Sequence, residues 1–339
     1  MPALLAAPLF LVSLAVTLGA ARLFARRLDR LGVRFGFPEA LIGLLTAVAA
    51  DGPNVSSALF ALAKGAHNVG VGVLVGSNAF QLAAMIGLSA LLAGGVRLAR
   101  ETLALEGLVG LLITVLAAAL LFRWLSPVES VVLTALVLVP YLTLVIAGAG
   151  LLDRLDARKG EADVAQSAVS RLARALHEHP GPDRTLDTSP NPTHHLLGLI
   201  VVDVALIIAG SAGMVQAALS LGTDWHIPSS VLGVLILAPM TSLPNAATAV
   251  RLGLAGRGAA LVGETFNSNS INLGAGVIVP SLFVSFAALT TVGKEQLGWL
   301  VAMTVATLAM LARPRGMGRA GAAGLIILYF AFVAGTLVG

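Results

Sequence analysis

The strongest constraint on this chain is the recurrence of apolar runs long enough to cross a bilayer. At about twenty residues per crossing, the sequence holds ten: 3–22, 38–63, 68–94, 102–122, 127–150, 194–220, 228–250, 258–287, 296–312 and 320–338. Only 11% of the residues are charged and the mean hydropathy is +0.93. A soluble domain carries roughly a quarter charged residues, so a soluble enzyme is excluded and an all-α polytopic membrane protein is expected. The chain has no cysteine, which removes disulfides, thiolate metal sites and thiol catalysis. Its basic residues lie between apolar runs and aromatics make up 5% of the chain, so there is no stacking surface for nucleic acid. The expected partners are the lipid bilayer and small solutes.

The charges between the runs set an orientation. No Lys or Arg precedes the first run, whereas Arg22, Arg26, Arg27, Arg30 and Arg34 follow it, the reverse of a secretory signal. The first run is therefore expected to be an uncleaved helix with its N-terminus outside. Counted in alternate loops, 18 of the 21 Lys and Arg fall on one side; only Lys64, Arg123 and Lys294 fall on the other. By the positive-inside rule this predicts ten crossings in the cell membrane, both termini outside and a cytoplasmic middle loop at 151–193. Within that loop, 164–176 has helical apolar spacing and the Pro-rich stretch after it reads as a linker. The loop separates residues 1–150 from 194–339, two halves of five helices each.

The halves repeat one another. Setting residue n against n+191 lays "LLTAVAADGPNVSSALFALAKG" (44–65) over "LILAPMTSLPNAATAVRLGLAG" (235–256). In the same register "VGVLVGSNAFQLAA" (71–84) lies over "VGETFNSNSINLGA" (262–275). Small apolar residues match by chance in any two membrane helices. Pro-Asn followed 24 residues later by Ser-Asn, in both halves, is far less common by chance. Five helices separate the two copies, so they are inverted in the membrane. Inverted repeats with proline-interrupted helices are the layout of secondary transporters, with the substrate at the repeat interface.

A helix-interior proline leaves the carbonyl four residues back without its donor. For Pro53 and Pro244 these are the carbonyls of Ala49 and Met240. Around the breaks lie Asp51, Asn54 and Ser57 in one half, and Thr241, Ser242, Asn245 and Thr248 in the other. The next helices add Ser77, Asn78 and Gln81, and Ser268, Asn269 and Asn272. An oxygen-rich cluster without sulfur suits hard cations such as Na⁺, Ca²⁺ or H⁺ and no transition metal. Three acidic residues fall well inside the runs: Asp51, Asp203 and Glu264. Each is costly there and a functional candidate by default. Asp203 lies outside the repeats, where pairing with an arginine or lining a water path is the plainer reading. Glu39 and Glu106, near span ends, are expected to be solvated at the interface.

At these residues the sequence resembles the calcium/cation antiporter superfamily, which includes sodium/calcium and proton/calcium exchangers. That family carries two inverted repeats reading approximately G-T-S-x-P-E, followed by G-S-N or G-S-[ND]. Here the strings are Ala49-Ala50-Asp51-Gly52-Pro53-Asn54 with Gly76-Ser77-Asn78, and Met240-Thr241-Ser242-Leu243-Pro244-Asn245 with Asn267-Ser268-Asn269. The resemblance implies a sodium/calcium exchanger-like fold of ten transmembrane helices in two inverted five-helix repeats. The repeats would cover about 38–94 and 228–287, with the first and sixth helices sliding past the core. Both motif glutamates, which grip calcium in the family, are replaced by Asn54 and Asn245. Asp51 stands where serine is usual, and Glu264 where a neutral residue is common.

The resulting expectation is a secondary active antiporter working by alternating access, with inorganic cations as substrate and no cofactor. Its cation site would draw on Asp51, Asn54, Ser77, Asn78, Thr241, Ser242, Asn245, Glu264, Ser268 and Asn269, with the Ala49 and Met240 carbonyls. Family membership implies Ca²⁺ exchanged for Na⁺ or H⁺. Amide oxygens compensate a desolvated divalent ion poorly, so a monovalent cation/H⁺ antiporter using Asp51 is the first alternative. A membrane sensor or scaffold without transport is the second. There is no nucleophile–base pair and no phosphate-binding glycine loop, so no enzyme is expected.

Overall fold

A computed structural model describes residues 3–35, 39–157 and 193–338. Ten helical segments follow one another among these residues. They are α1 (Ala3–Arg34), α2 (Glu39–Ala63), α3 (His67–Ala93), α4 (Arg100–Leu121), α5 (Pro127–Ala157), α6 (Thr193–Asp224), α7 (Ser229–Leu254), α8 (Gly258–Leu273, continued by a π turn over Gly274–Ile278), α9 (Thr291–Leu311) and α10 (Arg319–Val338). Each overlaps one of the apolar runs. The largest differences in length are that α1 continues past 22 through the arginine-rich stretch to Arg34, and that α8 with its π turn stops at Ile278, short of the expected 287. The helical spacing and the linker expected in the middle loop, at 158–192, lie outside the described residues.

Seven of the ten, α1, α3, α4, α5, α6, α7 and α10, are long and apolar enough to cross a membrane unaided. The other three are α2, α8 and α9. Asp51 and Asn54 lie within the unbroken α2, α8 has 16 residues and carries asparagines and serines, and α9 has Lys294-Glu295-Gln296 in its first turns. Apolar side chains point outward from α1, α5, α6 and α10, among them Leu11, Val12, Leu136, Val201, Ile208 and Phe330. Such an outer surface is wrong for water and right for lipid. The protein is a multi-pass membrane protein.

The internal repeat extends to individual hydrogen bonds. Between α2 and α3, Gly65 adopts φ +74°, Gly65 N–H donates to Leu62 C=O, and Ala66 N–H donates to Ala61 C=O. Between α7 and α8, Gly256 adopts φ +70°, Gly256 N–H donates to Gly253 C=O, and Arg257 N–H donates to Leu252 C=O. Every one of these residues is offset by 191. This double bond is the helix ending that a left-handed glycine permits. A π turn follows the Ser-Asn motif in both halves, over Leu82–Leu88 and Gly274–Ile278. Helix contacts obey the same exchange: α4 packs on α8 as α9 packs on α3, and α3 packs on α7 as α2 packs on α8.

Two contacts organise the bundle. α1 and α6 lie along each other, joined by an ion pair of 2.5 Å between Arg27 Nη1 and Asp203 Oδ1, while Arg27 also donates to the Leu199 carbonyl at 3.1 Å. Asp203 is thus the arginine-paired residue of the plainer reading. α3 and α7 meet backbone to backbone, because glycines remove the side chains between them. A Cβ added at Gly76 would lie 2.7 Å from Val234 Cα, and one at Gly233 would lie 2.6 Å from the Val69 carbonyl oxygen. Close approach through small residues is how membrane helices gain packing energy, since lipid supplies no hydrophobic drive between them.

Gly76→Ala therefore forces the two backbones apart and should cost about 1–3 kcal/mol, as overpacking does. Gly198→Ala meets nothing within 4 Å and serves as the matched control. Thermal unfolding in detergent should show a lowered midpoint for the first variant only; equal midpoints would refute the close contact.

Candidate cation-binding site

The polar residues of the two repeats come together where α2, α3, α7 and α8 cross. Asp51, two residues before Pro53 within the continuous helix α2, has no exposed surface. Its Oδ1 accepts from Asn245 Nδ2 and Ser268 Oγ, both at 2.7 Å, and from Asn54 Nδ2 and Gln81 Nε2, both at 3.3 Å. These four donors come from all four helices. Ser242 Oγ donates to Asn54 Oδ1 at 3.3 Å, and Asn245 Nδ2 also reaches Ser268 Oγ at 3.2 Å. The Ser268 hydroxyl has one hydrogen for two acceptors, Asp51 and Gln81 Oε1 at 3.0 Å, so it serves them alternately.

The repeat symmetry is visible in these bonds. Asp51 is equivalent to Ser242, and Asn54 to Asn245, so the Asp51–Asn245 and Ser242–Asn54 bonds are images of each other. Beside them, Asn78 Nδ2 donates to the backbone carbonyl of Asn269 at 3.1 Å. These two residues are themselves equivalent, and equivalent residues touch only next to the axis relating the halves. Asn272 Nδ2 donates to Asn78 Oδ1 at 3.0 Å and completes this second group.

Several buried oxygens in the cluster have no hydrogen-bond partner: Asp51 Oδ2, Ser57 Oγ, Asn245 Oδ1, Asn269 Oδ1 and Asn272 Oδ1. Buried acceptors are normally satisfied. A set of orphan oxygens around one carboxylate is what a desolvated cation would complete.

Not every expected residue joins the cluster. Thr241 turns its hydroxyl back onto its own helix, donating to Leu237 C=O at 2.9 Å and Ala238 C=O at 3.1 Å. Ser77 reaches across to the same Ala238 carbonyl at 3.5 Å, so the backbone oxygen with side-chain donors is that of Ala238. Among the described residues no side-chain donor reaches the Ala49 or Met240 carbonyls. Glu264 is half-buried one turn before Ser268 and makes no hydrogen bond in the cluster. Gln81 and Asn272 take larger parts than the motif strings suggest; their signal was the shared offset of 191.

One expectation is overturned. Glu106 is not solvated at an interface but buried, at 6% exposure. Its Oε2 accepts from Tyr141 Oη of α5 at 3.0 Å, and the same phenol oxygen lies 2.7 Å from Asn267 Oδ1 of α8. Apolar packing of α4 against α5 and α8 closes over this end of the helix. The side chain of Glu39 lies outside the described residues.

Fold and site together define a class: a multi-pass membrane protein of inverted repeats enclosing an oxygen-lined centre, the construction of a secondary transporter. The family model for the sodium/calcium exchanger protein matches residues 5–147 and 195–338. The chain belongs to that family, a family of cation antiporters. Solved structures of the sodium-calcium exchanger NCX_Mj share the fold. Soaked with 2.5 mM Na⁺ and 10 mM Sr²⁺, that protein superposes with a TM-score of 0.58 at 19% identity, covering 98% of this chain and 99% of its own. With 10 mM Na⁺ and 10 mM Sr²⁺ the TM-score is 0.58 at 20% identity, over the same shares of both chains. With neither Na⁺ nor Ca²⁺ it is 0.55 at 20% identity, again over 98% and 99%. No curated protein matches the chain.

Proposed function

We propose that this protein exchanges cations by alternating access at one central site, with Asp51 as the shared binding group for cation and proton. The observation that carries this reading is the Asp51 carboxylate itself. It is fully buried, touched by donors from both repeats through Oδ1, and without a partner on Oδ2. Hydrogen bonds to Oδ1 hold the charged group while the site is between cargoes. Oδ2 and the orphan amide oxygens of Asn245, Asn269 and Asn272 are then free to take an ion. Asn54, Gln81 and Asn245 present either oxygen or NH₂ by a half turn of the amide, so the same side chains serve a bare carboxylate or a bound cation.

Charge decides between ions. The connected cluster holds one carboxylate and otherwise neutral groups. One negative charge balances one positive charge, and burying an uncompensated charge costs several kcal/mol. A monovalent cation, Na⁺ or K⁺, exchanged for H⁺ is the reading this balance favours. Exchange of Ca²⁺ for Na⁺ or H⁺ becomes the better reading if Glu264 joins the site on ion binding, for which its place on α8 one turn before Ser268 is the supporting observation. Cofactors play no part in either scheme; the inorganic cations are cargo.

The orientation proposed is that of the charge count: both termini outside, and Arg97, Arg100, Arg313, Arg315 and Arg319 cytoplasmic. Pairing of Gly95-Val96 with Met317-Gly318 brings the loops carrying these arginines together on one face.

Three measurements test the proposal. In proteoliposomes, Asp51→Asn should abolish proton-coupled cation flux while leaving the protein folded; undiminished coupled flux would refute the shared site. Asn54→Glu together with Asn245→Glu restores the motif carboxylates and should shift transport from Na⁺ or K⁺ towards Ca²⁺, read as competition between the ions; unchanged selectivity would show that charge at these positions does not choose the ion. Because the chain lacks cysteine, single replacements report sidedness. Lys64→Cys should react with an impermeant maleimide on intact cells, and Arg315→Cys only after permeabilisation. The opposite pattern inverts the topology.

A further inference from the structure

Apart from the central cluster, the membrane core holds a second carboxyl in a hydrogen-bonded chain that ends on the residue before Ser268. Glu106 of α4, Tyr141 of α5 and Asn267 of α8 form a chain of three side chains, with the phenol oxygen in the middle at 3.0 Å and 2.7 Å from its neighbours. Glu106 and Tyr141 are buried and Asn267 is half-buried. Among the described residues no ion pair to Glu106 is found. The charged or titratable groups on the helices packed around it are few. α5 contributes Tyr141, with Glu129 in its first turn and Asp153, Arg154 and Asp156 in its last turns, and α8 contributes Glu264, with Arg257 just before its first residue. α9 carries Lys294 and Glu295 at the end remote from Leu308, the residue that touches Gly107. On α4 itself, Arg100 and Glu101 are exposed in the first turn.

The hydrogen count of this triad is informative. A phenol has one hydrogen. With Asn267 turning its oxygen to the phenol, Tyr141 faces two acceptors and can satisfy only one. The pattern is complete when Glu106 carries a proton: the carboxylic acid donates to the phenol oxygen, and the phenol donates to Asn267 Oδ1. When Glu106 gives up its proton, the pattern reverses. Asn267 rotates its amide so that Nδ2 donates to the phenol oxygen, and the phenol donates to the carboxylate. One proton leaves, no covalent bond other than O–H is broken, and both hydrogen bonds of the phenol oxygen are kept in both states.

We infer that Glu106, Tyr141 and Asn267 form a second proton-binding site, separate from the cation site, whose occupancy is passed to that site by the amide of Asn267. The transmission is short. Asn267 immediately precedes Ser268, whose hydroxyl bonds to Asp51 and Gln81, and Glu264 lies on the same stretch of α8. Asn267 also stands where the family motif has glycine, so the side chain that closes the triad is one the motif does not otherwise supply. The site would make transport depend on pH through a group that never touches the cargo. This inference rests on the proposed cation antiport only for its effect on flux; proton binding itself is independent of transport.

Infrared titration of the purified protein in detergent, scanned from acid to alkaline pH, reads the site directly. A protonated-carboxyl C=O band belonging to Glu106 should be present in the wild type, absent in Glu106→Gln, displaced in Tyr141→Phe and retained in Asp51→Asn. In proteoliposomes, Glu106→Gln should lose that part of the pH dependence of flux which Asp51 does not account for. If the band survives Glu106→Gln, or is unmoved in Tyr141→Phe, or if Glu106→Gln transports with the wild-type pH profile, the inference is wrong. Should Glu106→Gln fail to fold, the Tyr141→Phe band shift and its flux profile decide alone. Loss of the cation-antiport reading would appear instead as no cation-dependent flux in the folded wild type, with the Glu106 band in place.

Discussion

A carboxylate at the centre of a bilayer is unfavourable by roughly 2.5–3.5 kcal/mol even on the most lenient scale, and far more if it stays unpaired. Asp51 meets that constraint without a basic partner. Its Oδ1 collects donors from α2, α3, α7 and α8, so no single repeat can satisfy it and the two halves must assemble around it. Much of the remaining architecture follows from this requirement. The paired asparagines and the glycine contacts between α3 and α7 bring four polar helix segments within reach of one oxygen atom.

Symmetry makes the arrangement economical, and departures from it carry the chemistry. Equivalent loops end on equivalent glycines with the same pair of hydrogen bonds, and the π turns recur after both Ser-Asn pairs. The charge does not recur. Asp51 faces Ser242 as its equivalent, and Glu264 faces Val73. An even distribution of carboxylates would have placed two equivalent charges near the axis. One carboxyl in the cluster and a second held outside its hydrogen bonds make a different site from the one the family motif describes.

The residues that read clearly in the sequence are those whose signal is repeated. Asn54, Asn245, Ser268 and Asn269 stood out because each has a counterpart 191 positions away, and all lie in or beside the cluster. Thr241 matched a motif letter, yet its hydroxyl caps its own helix, which any serine or threonine in an apolar helix tends to do. Glu106 and Tyr141 lie on helices outside the repeats, 35 positions apart. Nothing local distinguishes a glutamate near a span end that meets water from one that meets a phenol. Asp203 was equally ambiguous until Arg27, 176 positions before it in the chain, was found beside it.

Hydropathy and offset by themselves determined the number of helices, their order, the two halves and the four segments that carry polar groups. They could do so because crossing a bilayer demands a fixed apolar length, and because a duplicated segment leaves its register in the chain. Which hydroxyls turn inward, which carboxyl stays outside the cluster and which glutamate finds a tyrosine were settled only by packing. Those outcomes depend on distances of a few tenths of an ångström between helices far apart in sequence. A hydrogen bond is made or lost on that scale, and no pattern along a single helix records it.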